Sequence, residues 1–114
     1  MFSQQHRLRS EKEVLRAIRS KRGAFDIVCG VKFAENTVGR PRFVIVVSTK
    51  VSKHAVDRNR VRRQYREICK EFIPLLPSCD IALLVSKPAL ELTFQAKRER
   101  LKHVFQKAKI LSYI

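Results

Sequence analysis

Arg58, Arg60, Arg62, Arg63 and Arg66 crowd one short stretch of this 114-residue chain, with Asn59 among them and Lys50, Lys53 and His54 just before. A guanidinium is planar, permanently charged and forked, which suits bidentate contact with phosphate and stacking on bases. Between Lys50 and Lys70 the only acids are Asp57 and Glu67. A merely solvated helix face mixes its signs. This one repels itself, and it reads as a surface built to hold a polyanion.

The stretch must be presented by a helix. Val61, Tyr65, Ile68 and Phe72 recur at four, three and four residues and draw one apolar stripe, with Tyr65 in the core. Arg58, Arg62, Arg66 and Lys70 recur every fourth residue beside that stripe, with Arg60 and Arg63 on neighbouring rows. Asp57 is placed to cap the amino terminus, where exposed amides accept a carboxylate and also favour phosphate. The helix is expected to stop before Pro74 and Pro77.

Other chemistry finds little material. The acids are thinly spread, with no pair spaced for a two-metal nuclease site, and no Ser, Cys or Lys carries a catalytic motif around it. Three glycines leave little for a phosphate-cradling loop. Asp26, Asp57 and Asp80 read as a strand-surface residue, a helix cap and a strand start. His6, His54 and His103 are too scattered for a metal site, and Cys29, Cys69 and Cys79 read as buried free thiols.

The chain as a whole carries a formal net charge of +15 and a pI near 10.6, so its partner is a large anion. Residues 1–114 are read as a single domain with one modest core. No apolar run approaches the length of a membrane span, and the first residues lack the apolar centre of a signal peptide. The expectation is a cytoplasmic protein.

Ser10 and Glu13 form a capping-box pattern opening a short basic helix over residues 10–22, with Val14, Leu15 and Ile18 on its apolar side and Gly23 ending it. Phe25, Ile27, Cys29, Val31 and Phe33 alternate with Asp26, Val28, Gly30 and Lys32, which predicts one strand over 24–33 with Phe25 in the core and a freer second face. Residues 35–41 are a turn, and 42–48 read as a central strand forming an antiparallel hairpin with the first. A third strand spans about 80–86. A last helix starts at Thr93, buries Phe94, Leu101, Val104, Phe105, Ala108 and Leu111, and turns Lys97, Arg98, Arg100, Lys102, Lys107 and Lys109 outward. The order α-β-β-α-β-α describes an α+β, two-layer sandwich with a small central sheet.

The run Ala55-Val56, then Arg58-Asn59-Arg60-Val61-Arg62-Arg63 and Arg66-Glu67, resembles the signature of the bacterial ribonuclease P protein family. Arg7-Leu8 before the first helix and Lys87-Pro88-Ala89 leading to Leu92-Thr93 extend the resemblance over essentially the whole chain. It implies a left-handed crossover around the middle helix. It also implies a non-catalytic partner of a large RNA, the complex removing the 5′ leader of precursor tRNA with Mg2+ held mainly by the RNA. Carried over by motif, Lys50, Lys53, Arg58, Asn59, Arg60, Arg62, Arg63 and Arg66 serve the contact with the catalytic RNA. Lys87 matches a basic residue of the leader cleft, and Val14 and Ile18 stand where relatives often carry aromatic residues that line it. Val51 and Ser52 replace a second lysine and a glycine common in the loop.

Two other readings fit the composition. A small structural RNA-binding protein with no processing role shares this size and charge. A DNA-binding domain would place the middle helix in a major groove, but no helix-turn-helix spacing precedes it. No helix carries the bulky, aromatic-rich apolar face of a membrane-surface helix.

Overall fold

The computed structural model describes residues 4–110. Helix α1 spans Glu11–Ile18, α2 Ala55–Phe72 and α3 Phe94–Lys107. The strands are β1 Gly23–Phe25, β2 Cys29–Glu35, β3 Arg42–Val46 and β4 Cys79–Val85, in the order β1-β2-β4-β3. β4 pairs antiparallel with β2 and parallel with β3, and α2 forms the crossover from β3 to β4. The α+β class and the small sheet are as expected. No helix of the described residues is long and apolar enough to cross a membrane.

The middle helix buries Val61, Tyr65, Ile68 and Phe72 as the spacing predicts, adding Cys69. With α3 it covers the sheet face bearing Val31, Phe33, Phe43, Ile81 and Leu83. Cys29, Cys69 and Cys79 are buried free thiols in this core. Thr93 caps α3 by accepting from the Ala96 amide at 3.1 Å. Leu111 lies outside the described residues. Lys97, assigned to the outer side, is buried instead, and its Nζ donates to the Leu92 carbonyl at 2.6 Å. Its stem packs as an apolar group, and burial lowers the ammonium pKa, with Arg60 adding to the effect.

The first strand is corrected to two. The Asp26 carboxylate accepts from the Val28 and Cys29 amides at 2.7 and 3.0 Å, and the Asp26 amide donates to the Cys29 carbonyl. This side-chain-stabilised turn folds β1 back on β2. It slips the alternation by one residue, so Ala24 enters the core while Phe25 is 47% and Ile27 73% exposed. The expected hairpin between the first strand and residues 42–48 is also corrected, because β4 lies between β2 and β3. β3 is therefore an edge strand, half-buried at alternate positions, and β4 is the central one. The first helix ends at Ile18 with Arg19 as its C-cap, and Gly23 opens β1. There a side chain would meet the Val31 carbonyl oxygen, so β1 approaches β2 closely.

α1 lies on the other sheet face, Ala17 against Ala82, flanked by Val14, Ile18 and Val44. Ser10 caps it as expected, accepting from the Glu13 amide. The Glu13 side chain reaches instead to Arg42, at 2.6 Å. Arg42 also grips the fully buried Asp80 through Nε at 2.8 Å and Nη2 at 3.0 Å. Asn36 donates to Asp80 at 2.8 Å, and Arg16 stands 3.7 Å from it. The bond to Asp80 is the first reason the Arg42 guanidinium is held above its ordinary pKa.

Removing one partner of a buried ion pair strands a charge, so Arg42→Leu is expected to lower stability by about 3–5 kcal/mol. A urea midpoint unchanged by this substitution would show the pair to be dispensable. Burial, then Asp26, pushes the Cys29 thiol up from 9.0 to about 12, and burial, then Asp80, does the same to Cys79. The folded thiols keep protons that unfolded ones release. Their contribution to stability is complete below about pH 9 and is lost as pH climbs towards 12. A thiol reagent should accordingly label the folded protein far more slowly than the unfolded one; equal rates would contradict the burial.

Candidate nucleic-acid interface

α2 starts at Ala55, two residues before Asp57. His54 is its N-cap without a side-chain cap bond, so the capping role expected for Asp57 is corrected. Asp57 lies in the first turn, favourable to the helix dipole, and accepts from the Ser52 hydroxyl at 3.1 Å. That hydroxyl also receives the His54 amide, and the Ser52 carbonyl receives Arg58 Nη1 at 2.8 Å. Val51 is buried beneath. The two residues that depart from the lysine and glycine of the resembled loop thus fasten this one to the helix. Lys50 and Lys53 are left exposed on it.

The arginines divide into two rows. Arg58, Arg62 and Arg66 are half-buried, whereas Asn59, Arg60 and Arg63 are exposed. Arg62 donates to the Asn59 side-chain oxygen at 2.7 Å and to the Val47 carbonyl at 3.2 Å, which fixes its guanidinium. Arg60 stands 3.8 Å from Asp57. Arg58, Arg62 and Arg66 thus run along the flank of the apolar stripe, and Asn59, Arg60 and Arg63 stand farther round on the exposed side.

Sequence reasoning gave no role to Arg7. It bridges to Phe43 on the outer edge of β3, and the Leu8 amide donates to the Phe43 carbonyl at 2.8 Å. Arg7 and Arg9 from this segment meet Arg62 and Arg66 from α2 around a concavity of about 270 Å³ floored by Leu8 and Phe43. The Arg7 Nε is buried without a hydrogen-bond partner among the described residues. Burial, then Arg7 and Arg62, lowers the pKa of Arg66. Converging cations raise each other's energy, and an anion between them relieves it. No periodicity surrounds Arg7 in the sequence; only the resemblance marks it.

Of the predicted leader residues, Val14 and Ile18 lie over the opposite sheet face, and Lys87 lies beyond the end of β4. Val14 and Ile18 pack on α1's inner side beside Val44 and Ala82. Lys87 is exposed at the start of a short 3-10 turn just past β4, five residues beyond Ala82, or about 16 Å along an extended strand. Val14 and Ile18 thus stand apart from Lys87, with the half-buried Leu84 and Val46 between them. Among the described residues no group of three or more His, Cys, Asp or Glu is placed to hold a metal.

Comparison with known proteins places this geometry. The family model described as Ribonuclease P matches residues 2–109. A ribonuclease P protein component from Cyanothece sp. is 35% identical, covering 97% of this chain and 86% of that protein. One from Exiguobacterium sp. is 32% identical, covering 96% and 95%. The solved RNase P protein of Staphylococcus aureus superposes with a TM-score of 0.85 at 25% identity, covering 94% of this chain and 98% of that one. The Thermotoga maritima RNase P protein, solved with 1-(4-fluorophenyl)-2-thiourea, gives 0.79 at 25% identity, covering 89% and 98%.

Arg66→Ala is expected to weaken RNA binding and to reduce the slope of log affinity against log salt by about 0.7–0.9. Arg98 is occupied by Glu71 at 2.5 Å and Glu99 at 2.6 Å, so Arg98→Ala should leave the slope unchanged. Equal slopes for both variants, measured by titration across salt concentrations, would remove the α2 arginines from the interface.

Proposed function

The chain belongs to the family of ribonuclease P protein components, and from that premise we propose that it binds a catalytic RNA through α2 and the loop before it, and the 5′ leader of precursor tRNA across the open sheet face. The complex would then hydrolyse the precursor to its mature 5′ end, with the chemistry in the RNA. The observation that carries this reading is the arginine face of α2, joined at the β3 edge by Arg7. Lys50, Lys53, Arg58, Asn59, Arg60, Arg62, Arg63 and Arg66 are the RNA-contact residues in this assignment. Val14, Ile18 and Lys87 border the leader path.

The physical role is electrostatic and geometric. Two large RNAs repel one another, and a domain of net charge +15 between them lowers that repulsion. The Asn59–Arg62 bond holds one guanidinium ready for phosphate, limiting the entropy lost on contact. Mg2+ is assigned mainly to the RNA. In this chain Asp80 is committed to Arg42, Asp57 to Ser52 and Asp26 to its own turn, which leaves these carboxylates poorly placed as ligands.

The test is cleavage of a 5′-extended precursor tRNA at low magnesium by this protein alone, a bacterial ribonuclease P RNA alone, and both together. Cleavage at the mature 5′ end that is far faster with both is the expected outcome. Cleavage by the protein alone would place a catalytic site in this chain. Tight RNA binding without any effect on cleavage would favour a structural RNA-binding role.

A further inference from the structure

One residue from each strand forms a row across the sheet face that carries α1. The registers pair Phe25 with Gly30, Gly30 with Leu84, and Leu84 with Val46. Paired residues project to the same face, and this row is one step beyond the Ala82–Val44 pair on which α1 packs. Leu84 and Val46 are half-buried and Phe25 is half-exposed. An open apolar strip therefore runs from β1 to β3, with a single ring at one end.

The ring's position depends on Gly30. A Cβ on Gly30 would fall 1.9 Å from Cδ1 of Phe25 and 2.3 Å from Cε1, so the ring lies over the β2 backbone where any larger residue would expel it. The flanking backbone is held too. The Phe25 carbonyl accepts from Lys107 Nζ at 2.9 Å, and Asp26 locks the following turn while pairing with Arg100 at 3.1 Å. The neighbouring carboxylate is thereby spent on the far side of the turn. Lys32 stands on the same face one row away, and Lys87 lies past the end of β4.

An aromatic ring held in place on an apolar strip between cations matches what a single nucleic-acid strand needs: a π-face for a base and charge for the flanking phosphates. We propose that the Phe25–Gly30–Leu84–Val46 row is a stacking platform for a base of single-stranded RNA, with Phe25 as the contact residue and Gly30 as the positioning residue that seats its ring. This rests on the leader assignment above and adds to it a ring from β1, at the opposite edge of the same face from Arg42. The net charge of +15 selects RNA over an apolar protein segment as the occupant.

The experiment uses the protein assembled with a bacterial ribonuclease P RNA. It compares precursor tRNA carrying a leader with the same tRNA lacking one, and places 2-aminopurine at successive leader positions. Phe25→Leu keeps an apolar side chain without the ring, and Gly30→Ala displaces the ring while Phe25 remains. Both should reduce the affinity gained from the leader about tenfold, leave leaderless binding unchanged, and abolish 2-aminopurine quenching at one leader position. The salt slope should not move, which separates this contact from those of Arg58–Arg66. Wild-type leader dependence with undiminished quenching in Phe25→Leu would overturn the platform alone. No leader dependence in the wild type would overturn the leader assignment and the platform with it.

Discussion

The Asp80 carboxylate is fully buried in the central strand, and much of the sheet's second face is arranged around neutralising it. Arg42 brings the start of β3 to it, Asn36 the loop after β2, and Arg16 the middle of α1. Glu13 then shares Arg42, so α1 is tied to the sheet by charge as well as by Ala17. On α1 Glu13 and Arg16 fall on one side of Ala17, and Val14 and Ile18 on the other. Ser20 donates to the Phe33 carbonyl at 2.6 Å and completes the tethered side. The helix is thus held by its polar flank and presents its apolar flank towards Leu84 and Val46. A buried ion pair is a weak source of net stability but a strong source of unique placement when its partners come from four segments. Here the placement is what leaves part of the sheet open.

The two candidate surfaces lie on opposite faces of one sheet and meet at the β3 edge. α2 packs on one face and turns its arginines outward; α1 covers part of the other. Arg7 and Arg9 lie at the junction, beside Arg62 and Arg66. Such an arrangement lets one small domain touch two RNA segments at once, with each contact strengthening the other through a raised effective concentration.

The local features were legible. The stripe of α2, the Ser10 and Thr93 caps, the buried thiols and the span of β4 all follow from spacing and neighbouring residues, which the sequence carries directly. What escaped was non-local or parity-breaking. Strand order depends on β4 entering between β2 and β3, and no local pattern encodes that. The Asp26 turn shifts alternation by one residue, so an unbroken apolar rhythm from Phe25 to Phe33 conceals two strands and places Phe25 on the wrong face. Asp57 looked like a cap because it is acidic at the start of a basic helix, but Ser52 and Val51 let the helix begin earlier. Lys97 looked solvated because lysine usually is; its four-carbon stem and one carbonyl partner let it lie inside.

The bridge between Arg7 and the outer edge of β3 has a consequence for the protein before it meets any RNA. An edge strand offers unpaired amides and carbonyls to whatever extended chain arrives, and a chain rich in Val and Ile invites sheet-to-sheet growth. Here the Arg7–Leu8 segment occupies one stretch of that edge, and a bank of guanidinium groups stands beside it. A second copy approaching edge-on would meet like charge and few free hydrogen-bonding groups along that stretch. The same side chains that suit the protein to a polyanion thus also discourage its own strands from polymerising.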